Sequence, residues 1–502
     1  MRSAWLLSLL LTAGCGARTP LNAGDEDGGQ VTVPDGGLDA GPDAGFDAGP
    51  DAGPQIACAA DSDCARGVCR ARRSFTPSDL EPLPLACGEP DAARAGVGLP
   101  CNARGECDRG ICTVSGACVM PCASDADCPG AERCVEVWVQ TSGTSMQPLE
   151  ACAPVTAAPD DVRVVGPEPG PALPGGFGDG VDDVLPGLAR STLVVWTSEE
   201  GTTPILQQIR DPAGALVFDG FAGGPGAPAP RWGVSAATIS DAVTLLFPNG
   251  PNTPALPGGF TVSLNSFEPS ASERIVLQRD REGALIDIDA YLVGGGGWSM
   301  AGGAVPSQLA RAVDDANELL AQVGLSIGEV RVHSIVGRLR RDFEVLEGES
   351  GPLGVPPELA SMYRLSAGAR RPSVHVFFVR MIDGAAGIAS GIPGPHAVPG
   401  TGASGVAIAV DVIPLPLLGL VMVHEIGHYM GLFHTSETDG SVNDPLPDTG
   451  ECRADRDANG DGFLAPDECR GTGAENVMFW AGELPMLSPQ QGTIMRRALF
   501  VR

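Results

Sequence analysis

The sequence predicts a multidomain protein that ends in a mixed α/β (α+β) domain, preceded by a disulfide-rich repeat region and a β-sandwich-like domain. Twelve cysteines fall in regularly spaced groups between residues 58 and 152. Short runs of β-forming residues between turn residues follow them. The last part of the chain alternates strand-like and helix-like apolar patterns. Because 502 residues are too many for one ordinary domain, these three signals are assigned to separate regions.

The composition restricts the possible partners of the protein. Arginine supplies all 32 basic residues against 62 acidic residues, so the formal net charge is -30. Nucleic acid is not an expected partner, because its phosphates would be repelled. The 69 glycines and 45 prolines predict much irregular structure.

Residues 1–15 have the pattern of a secretion signal. Arg2 supplies a positive charge, and the apolar core at 4–13 is far shorter than the ~20 residues of a membrane-spanning helix. The segment ends in Leu-Thr-Ala-Gly followed by Cys15, which is similar to a bacterial lipobox. We therefore expect export, with a lipid anchor at Cys15 as the only membrane contact, or release outside the cell. The alternative is ordinary signal-peptide cleavage, with Cys15 incidental.

Two segments are predicted to connect folded regions. Residues 16–56 repeat Asp-Ala-Gly-Pro and have almost no apolar surface to bury, so an extended, disordered tether is expected. Residues 154–188 are again rich in proline, glycine and aspartate, which predicts a linker.

Residues 57–153 contain an internal repeat of cysteine quartets. Every quartet opens with C-x5-C, and the first and third share a seventeen-residue gap before their last cysteine. An even number of cysteines in an exported chain predicts disulfides, two in each quartet if the units are independent. Zinc binding is the alternative, but C-x2-C pairs are missing. The quartets are Cys58, Cys64, Cys69 and Cys87; Cys101, Cys107, Cys112 and Cys118; and Cys122, Cys128, Cys134 and Cys152.

Residues 189–283 carry the signals of a β-sandwich-like domain. Short β-forming runs lie between turn residues, and nothing in them indicates chemistry. A propeptide, a binding module and a spacer are all open as roles. The runs lie at 192–196, 215–218, 243–247 and 275–277.

Residues 284–502 are predicted to form the mixed α/β domain. A helix is expected at 307–323, where the apolar residues fall on one face, with Ser307 as its cap and Gly324 at its end. A last helix is expected to begin at Ser488. The strands are expected at 285–293, 330–335, 374–379 and 405–410.

The stretch from His424 to His434 carries the strongest chemical signal. An apolar run leads into it and predicts a buried helix, on which His424 and His428 lie one turn apart on the same face. Gly431 can end that helix, so that the chain can turn and bring back His434. Three imidazoles can bind Zn2+ and leave a fourth position for water, which is typical of a catalytic zinc. Glu425 follows the first histidine, within reach of such a water.

All eleven positions match the pattern H-E-x-x-H-x-x-G-x-x-H. The segment from Asn476 to Trp480 resembles a methionine turn, with Met478 at the methionine position. On these motifs the C-terminal region resembles the metzincin metalloproteases. The Gly-Leu-Phe-His-Thr continuation at 431–435 and the Asp448-Thr449 pair before a cysteine most resemble the pappalysin-like branch. The resemblance is strong from about Gly405 to the C-terminus and absent before Leu285.

The resemblance implies a zinc endopeptidase with Glu425 as general base. It also implies that the strand at 405–410 can lie at the edge of a sheet, where extended substrate adds. Trp480 departs from the family, because several members have a tyrosine there that can approach the metal. Two other classes compete with this interpretation: a non-catalytic surface adhesin with a structural zinc, and an enzyme that cuts something other than a peptide bond.

Residues 457–468 match the calcium loop of an EF-hand. Oxygen ligands stand at positions one, three and five, with glycine at six and glutamate at twelve. The flanks are not clear helices, so an isolated structural Ca2+ loop is expected, and a solvated acidic turn is the alternative. Cys452 and Cys469 bracket the loop and are expected to form a disulfide. The expected calcium ligands are Asp457, Asn459, Asp461, the Phe463 carbonyl and bidentate Glu468.

Residues 86–91 partly resemble the cysteine-switch motif of matrix metalloproteases, in which a propeptide thiolate occupies the open zinc position. Ala86 stands where that family has arginine, and Cys87 completes the first quartet. We therefore expect Cys87 to form a disulfide.

Overall fold

The computed structural model describes residues 57–502 with internal gaps. The predicted signal segment and tether, including Cys15, lie outside the described residues. None of the described helices combines the length and the apolar composition of a membrane-spanning segment. The gaps are 73–82, 143–144, 177–179, 186, 188, 199–201, 220–234, 240, 248–249, 252–257, 295–297, 299–304, 348–356 and 482–484.

Residues 57–154, the cystine module, repeat one disulfide connectivity. In every quartet the first cysteine pairs with the third and the second with the fourth, so each quartet holds two disulfides of its own. Two antiparallel hairpins accompany the disulfides: β1 (Val68–Ala71) with β2 (Leu85–Gly88), and β3 (Glu132–Ser142) with β4 (Ser145–Pro154). The disulfides are Cys58–Cys69, Cys64–Cys87, Cys101–Cys112, Cys107–Cys118, Cys122–Cys134 and Cys128–Cys152.

The pairing of Cys87 rules out a cysteine switch. Its sulfur is bonded to Cys64, so it has no thiolate to offer a metal. The expectation of a disulfide at Cys87 is confirmed.

Two antiparallel sheets form the predicted sandwich. The described strands give one sheet in the order β10-β11-β7-β13-β5 and another in the order β6-β12-β8-β9. Their side chains share one apolar core. The strands are β5 (Arg163–Pro169), β6 (Val181–Val184), β7 (Ser191–Ser198), β8 (Pro204–Arg210), β9 (Leu216–Asp219), β10 (Ser235–Ile239), β11 (Ala242–Phe247), β12 (Thr261–Ser266) and β13 (Ser272–Arg279).

The sandwich begins earlier than the sequence predicts. β5 and β6 lie within residues 154–188, which were expected to be a linker, so that expectation is wrong for these strands. Each of them is the outer strand of its sheet. Outer strands tolerate proline and glycine because one side makes no ladder hydrogen bonds, and their composition therefore resembles that of a linker.

The five-stranded sheet of the sandwich is buried on both faces. Val194 and Trp196 of β7 face the sandwich core, whereas Leu193 and Val195 pack into the core of the C-terminal domain. This alternation follows from the two-residue period of a strand. The sandwich is therefore packed directly on the C-terminal domain.

The C-terminal domain is built on a sheet in the order β15-β14-β17-β20-β19. The first four strands are parallel, and β19 is antiparallel to β20. Helices α1 and α4 pack closely against each other. A Cβ at Gly419 of α4 would lie only 2.7 Å from the carbonyl oxygen of Ala312 in α1. The elements are β14 (Leu285–Leu292), α1 (Ser307–Ala321), β15 (Ser326–Ser334), α2 (Gly337–Phe343), β16 (Val345–Leu346), α3 (Pro357–Tyr363), β17 (Val374–Val379), β18 (Met381–Ile382), β19 (Gly387–Ala389), β20 (Val406–Ala409), α4 (Leu415–Tyr429) and α5 (Pro489–Arg496).

The predicted helix ends are confirmed in three of four cases. Gly324 follows α1 with φ +72, and Gly431 follows α4 with φ +108, a conformation that costs glycine little. The Ser488 hydroxyl accepts the Gln491 N–H and caps α5. The cap of α1 differs from the prediction: Ser307 is already helical, and the cap position is held by the residue before it.

The strand predicted at 405–410 is present as β20, but it does not lie at the sheet edge. It pairs with β17 on one side and with β19 on the other, so β19 is the edge strand. Strand β19 was not predicted, because its three residues, glycine, isoleucine and alanine, lack the alternation and composition of a strand.

Candidate metal centre

The three predicted histidines converge on one point. The Nε2 atom of His428 lies 3.0 Å from that of His424 and 3.0 Å from that of His434, and the third separation is 3.2 Å. Zinc with four ligands at about 2.0–2.1 Å separates its nitrogens by roughly 3.3 Å. The spacing of the three nitrogens therefore fits one zinc ion.

The other ring nitrogen of each histidine has an oxygen partner, which fixes the tautomer. Carbonyl and carboxylate oxygens only accept hydrogen bonds, so each Nδ1 carries the proton and each Nε2 presents a lone pair. Three lone pairs this close repel one another unless a cation lies among them. The partners are the Val477 carbonyl for His424 at 2.7 Å, the Leu432 carbonyl for His428 at 2.7 Å and the Glu437 carboxylate for His434 at 3.1 Å.

Burial keeps two of the ligands in the form that metals bind. It lowers the pKa of His424 to about 3 and the pKa of His428 well below the usual value, since a charged imidazole would lose its hydration. Both rings are therefore neutral near pH 7, as a metal ligand must be.

Glu425 is completely buried in the same helix turn. Neither carboxylate oxygen has a hydrogen-bond partner among the described residues. Burial raises the pKa of this carboxyl well above its usual value. A buried carboxylate without partners is costly, so its surroundings fit a water or a nearby cation.

Strand β19 lies directly on Glu425. A Cβ at Gly387 would be 2.6 Å from the Glu425 Cγ, which is closer than side-chain atoms can approach. Glycine is therefore needed for the edge strand to reach the glutamate.

Met478 of the predicted methionine turn lies beneath the histidine helix. A Cβ at Gly427 would be 2.7 Å from its sulfur. Its carbonyl accepts the Thr435 N–H at 2.9 Å, and its own N–H donates to the Asn476 side chain at 2.8 Å. The side chains of Asn476 and Gln491 exchange two hydrogen bonds. The start of α5 thus holds the turn in place.

The predicted calcium loop is closed by its own glutamate. The Glu468 carboxylate accepts the N–H groups of Ala458 at 2.8 Å and Ala465 at 2.9 Å. Asp457 at the first position accepts the Gly462 N–H at 2.9 Å. The oxygen-rich set of side chains is the chemistry that Ca2+ prefers.

The predicted disulfide Cys452–Cys469 is present and belongs to a small apolar cluster, the insertion core. Trp480 is buried in this cluster rather than free to reach the histidines, and its indole N–H donates to the Leu464 carbonyl at 2.8 Å. The role that tyrosine has at this position in several metzincins is therefore not taken by Trp480. The insertion core consists of Cys452, Leu464, Cys469, Ala474, Phe479 and Trp480.

The groups that orient the ligands were not among the predicted site residues. Glu437 is an acidic residue three positions after His434, and that spacing was the available signal. The carbonyls of Val477 and Leu432 have no sequence signal, because every residue has one.

Comparison with known proteins gives no family. No family model matches the chain. No curated protein matches it. One similar solved structure is an active-site mutant of a family two carbohydrate esterase from Clostridium thermocellum, at 10% identity, 42% coverage of this chain, 60% coverage of that chain and a TM-score of 0.12. A family two carbohydrate esterase from Cellvibrio japonicus is similar at 11% identity, with 45% coverage of this chain, 77% coverage of that chain and a TM-score of 0.12. This chain spans 60% of the length of the first of these structures. TM-scores this low do not bear on fold or function.

Proposed function

We propose that this protein is a zinc-dependent endopeptidase that hydrolyses peptide bonds in protein or peptide substrates. The supporting observation is the convergence of three histidine side chains next to a buried glutamate without hydrogen-bond partners. Structural zinc sites have four protein ligands, whereas this group offers three within the described chain. The fourth zinc position is thus left for water, which favours a catalytic zinc over the structural zinc of an adhesin.

Glu425 is the general base in this proposal. Zinc, when bound, supplies a Lewis acid that polarises the scissile carbonyl and lowers the pKa of a water toward ~7. Glu425 accepts a proton from the attacking water and passes it to the leaving amine. The water oxygen bonds to the carbonyl carbon as the C–N bond breaks, so one water is consumed for each bond cut.

The edge strand β19 is the proposed binding site for extended substrate. Ala386 and Ser390 hydrogen-bond toward β20. By the alternation of an antiparallel ladder, Gly387 and Ala389 direct their backbone groups to the other side. No described strand pairs on that side. A peptide added there would pass next to Glu425, because Gly387 packs on its side chain.

The substitution Glu425→Gln tests the proposal. It should keep near-stoichiometric zinc, since Glu425 is not a ligand, and lower casein cleavage by at least about 10²-fold. Zinc is measured by elemental analysis, and cleavage with and without a chelator. Glu451→Gln is the control, because Glu451 is half exposed and pairs with Arg453. Cleavage by Glu425→Gln at the parent rate would show that the mechanism is wrong.

The proposal also includes a structural Ca2+ in residues 457–468 and export with a lipid anchor at Cys15. The first is supported by the twelve-position motif and the second by the signal-like segment before Cys15.

A further inference from the structure

Leu464 is the fully buried residue of the 457–468 loop, and its backbone is bonded in two directions. Its N–H donates to the Thr438 carbonyl at 2.7 Å. Its carbonyl accepts the Trp480 indole N–H at 2.8 Å. The loop is therefore tied to two different segments of the chain through one residue.

The segment that contains Glu437 and Thr438 orients His434. Thr438 directly follows Glu437, whose carboxylate lies 3.1 Å from the Nδ1 atom of His434. A shift of Leu464 would move the Thr438 carbonyl and, with it, the carboxylate that holds the histidine ring.

The segment from Val477 to Trp480 orients His424. Trp480 lies three residues after Val477, whose carbonyl is 2.7 Å from the Nδ1 atom of His424. Met478, between them, accepts the Thr435 N–H at 2.9 Å, so the two segments are also bonded to each other. The two backbone hydrogen bonds of Leu464 therefore join the segments that orient His434 and His424 a second time.

We propose that Trp480 and Leu464 are positioning residues for the metal centre, and that their hydrogen bond tightens zinc binding by holding His424 and His434 in place. The inference rests on the proposed zinc site. Groups that hydrogen-bond directly to metal-ligating histidines typically change metal affinity about 10–100-fold. Trp480 acts one step further out, so a smaller effect is expected.

The substitution Trp480→Phe removes the indole N–H and keeps an aromatic ring in the insertion core. The zinc dissociation constant of the full chain, measured by competition with a chromophoric chelator, should rise about three- to tenfold, below the range for direct partners. The visible absorption of Co2+ bound in place of zinc should shift, because the histidine geometry relaxes.

Trp196→Phe is the matched control. Trp196 is also fully buried, and its indole N–H donates to Asp183 at 2.8 Å, but it lies in the sandwich core. Its loss should lower thermal stability without changing the zinc affinity or the Co2+ spectrum. If the role of Trp480 were merely structural, Trp480→Phe would likewise lower thermal stability without changing the zinc affinity or the Co2+ spectrum.

A second measurement uses the parent chain alone. Because coupling between sites is reciprocal, zinc should slow hydrogen exchange in residues 457–468. Exchange in 191–198 of the sandwich should not change.

The outcomes separate the two proposals. An unchanged zinc affinity and Co2+ spectrum in Trp480→Phe, or unchanged exchange in 457–468, overturns the positioning role and leaves the endopeptidase intact. A parent chain that binds zinc but cuts no protein overturns the endopeptidase alone. A chain that binds no zinc overturns both.

Discussion

At the scale of single residues, glycines decide how closely the parts of the candidate site approach. Gly427 gives the Met478 sulfur room beneath α4, and Gly387 lets β19 lie on Glu425. Neither has a left-handed backbone, so space rather than conformation requires glycine at both positions. A methyl group is therefore enough to perturb the site.

Gly387→Ala should lower kcat/KM for protein cleavage by about 10–10²-fold, because the added Cβ displaces either Glu425 or the edge strand by an ångström or so. Bound zinc should remain near stoichiometric, since no ligand is touched. Gly187→Ala is the matched control, because a Cβ there would meet nothing within 4 Å. Equal kcat/KM in the two variants would contradict the placement of β19.

At the scale of elements, the 457–468 loop is held by few apolar contacts of its own. Its polar side chains cap its own N–H groups, and Leu464 anchors it to the insertion core. The disulfide Cys452–Cys469 closes the insertion at its base. An ion in the loop would therefore act mainly on the stability of this element.

Removing Ca2+ with a selective chelator should lower thermal stability and promote proteolytic cleavage within 455–468. An ion at 100 times its dissociation constant contributes about 2.7 kcal/mol, which is the largest loss expected under that condition. Asp461→Ala should mimic the chelator, whereas Asp467→Ala, at a non-ligand position, should not. A melting temperature independent of Ca2+ would remove the calcium site from the proposal.

At the scale of the whole molecule, the cystine module is seated on the C-terminal domain. Arg370 pairs with Glu132 and also donates to the Cys152 carbonyl at 3.2 Å. Gly116 lies against the His333 ring, where a Cβ would be 2.9 Å from Cε1. The module therefore covers one edge of a buried polar cluster in the parallel sheet.

This cluster is centred on Asp289. Its carboxylate accepts hydrogen bonds from Arg331 at 2.7 Å and His333 at 2.9 Å. Burial raises the pKa of Asp289, but these two partners outweigh it and hold the pKa well below the usual value. His375 lies beside it, and burial lowers its pKa to about 4 despite the opposing effect of Asp289.

The protein should lose stability as pH falls from about 6.5 to 4. In that window the unfolded His375 binds a proton and the folded one does not, since its ordinary pKa is 6.5 and its folded pKa about 4. The linkage predicts a loss of about 2 kcal/mol between pH 7 and pH 5 from this residue. Urea unfolding at the two pH values measures it. In His375→Gln the difference should shrink by that amount, and an undiminished pH dependence would contradict the assignment.

The local signals in the sequence predicted most elements of the C-terminal domain. Apolar runs located β14, β17, β20 and α4 to within a few residues, because these elements are buried on nearly all sides. One-sided apolar periodicity located α1, and the Ser488-Pro489 pair located α5. β5, β6 and β19 were missed, since outer strands are stabilised by pairing with distant strands and need no such apolar pattern. The short elements α2, α3, β16 and β18 and the sandwich strands β8, β10 and β12 were not predicted either.

Residue types at fixed spacing were enough to predict the three histidines, the adjacent glutamate, the methionine and the disulfide around the loop. The groups that orient the histidines could be identified only from the folded chain. The partners of the imidazoles are two backbone carbonyls and Glu437. Backbone groups are identical at every position, and which one faces a ring is fixed by chain segments brought together from far apart. For the same reason, the contact of Gly387 with Glu425 and the hydrogen bond of Trp480 to Leu464 could not be predicted, because both exist only after folding.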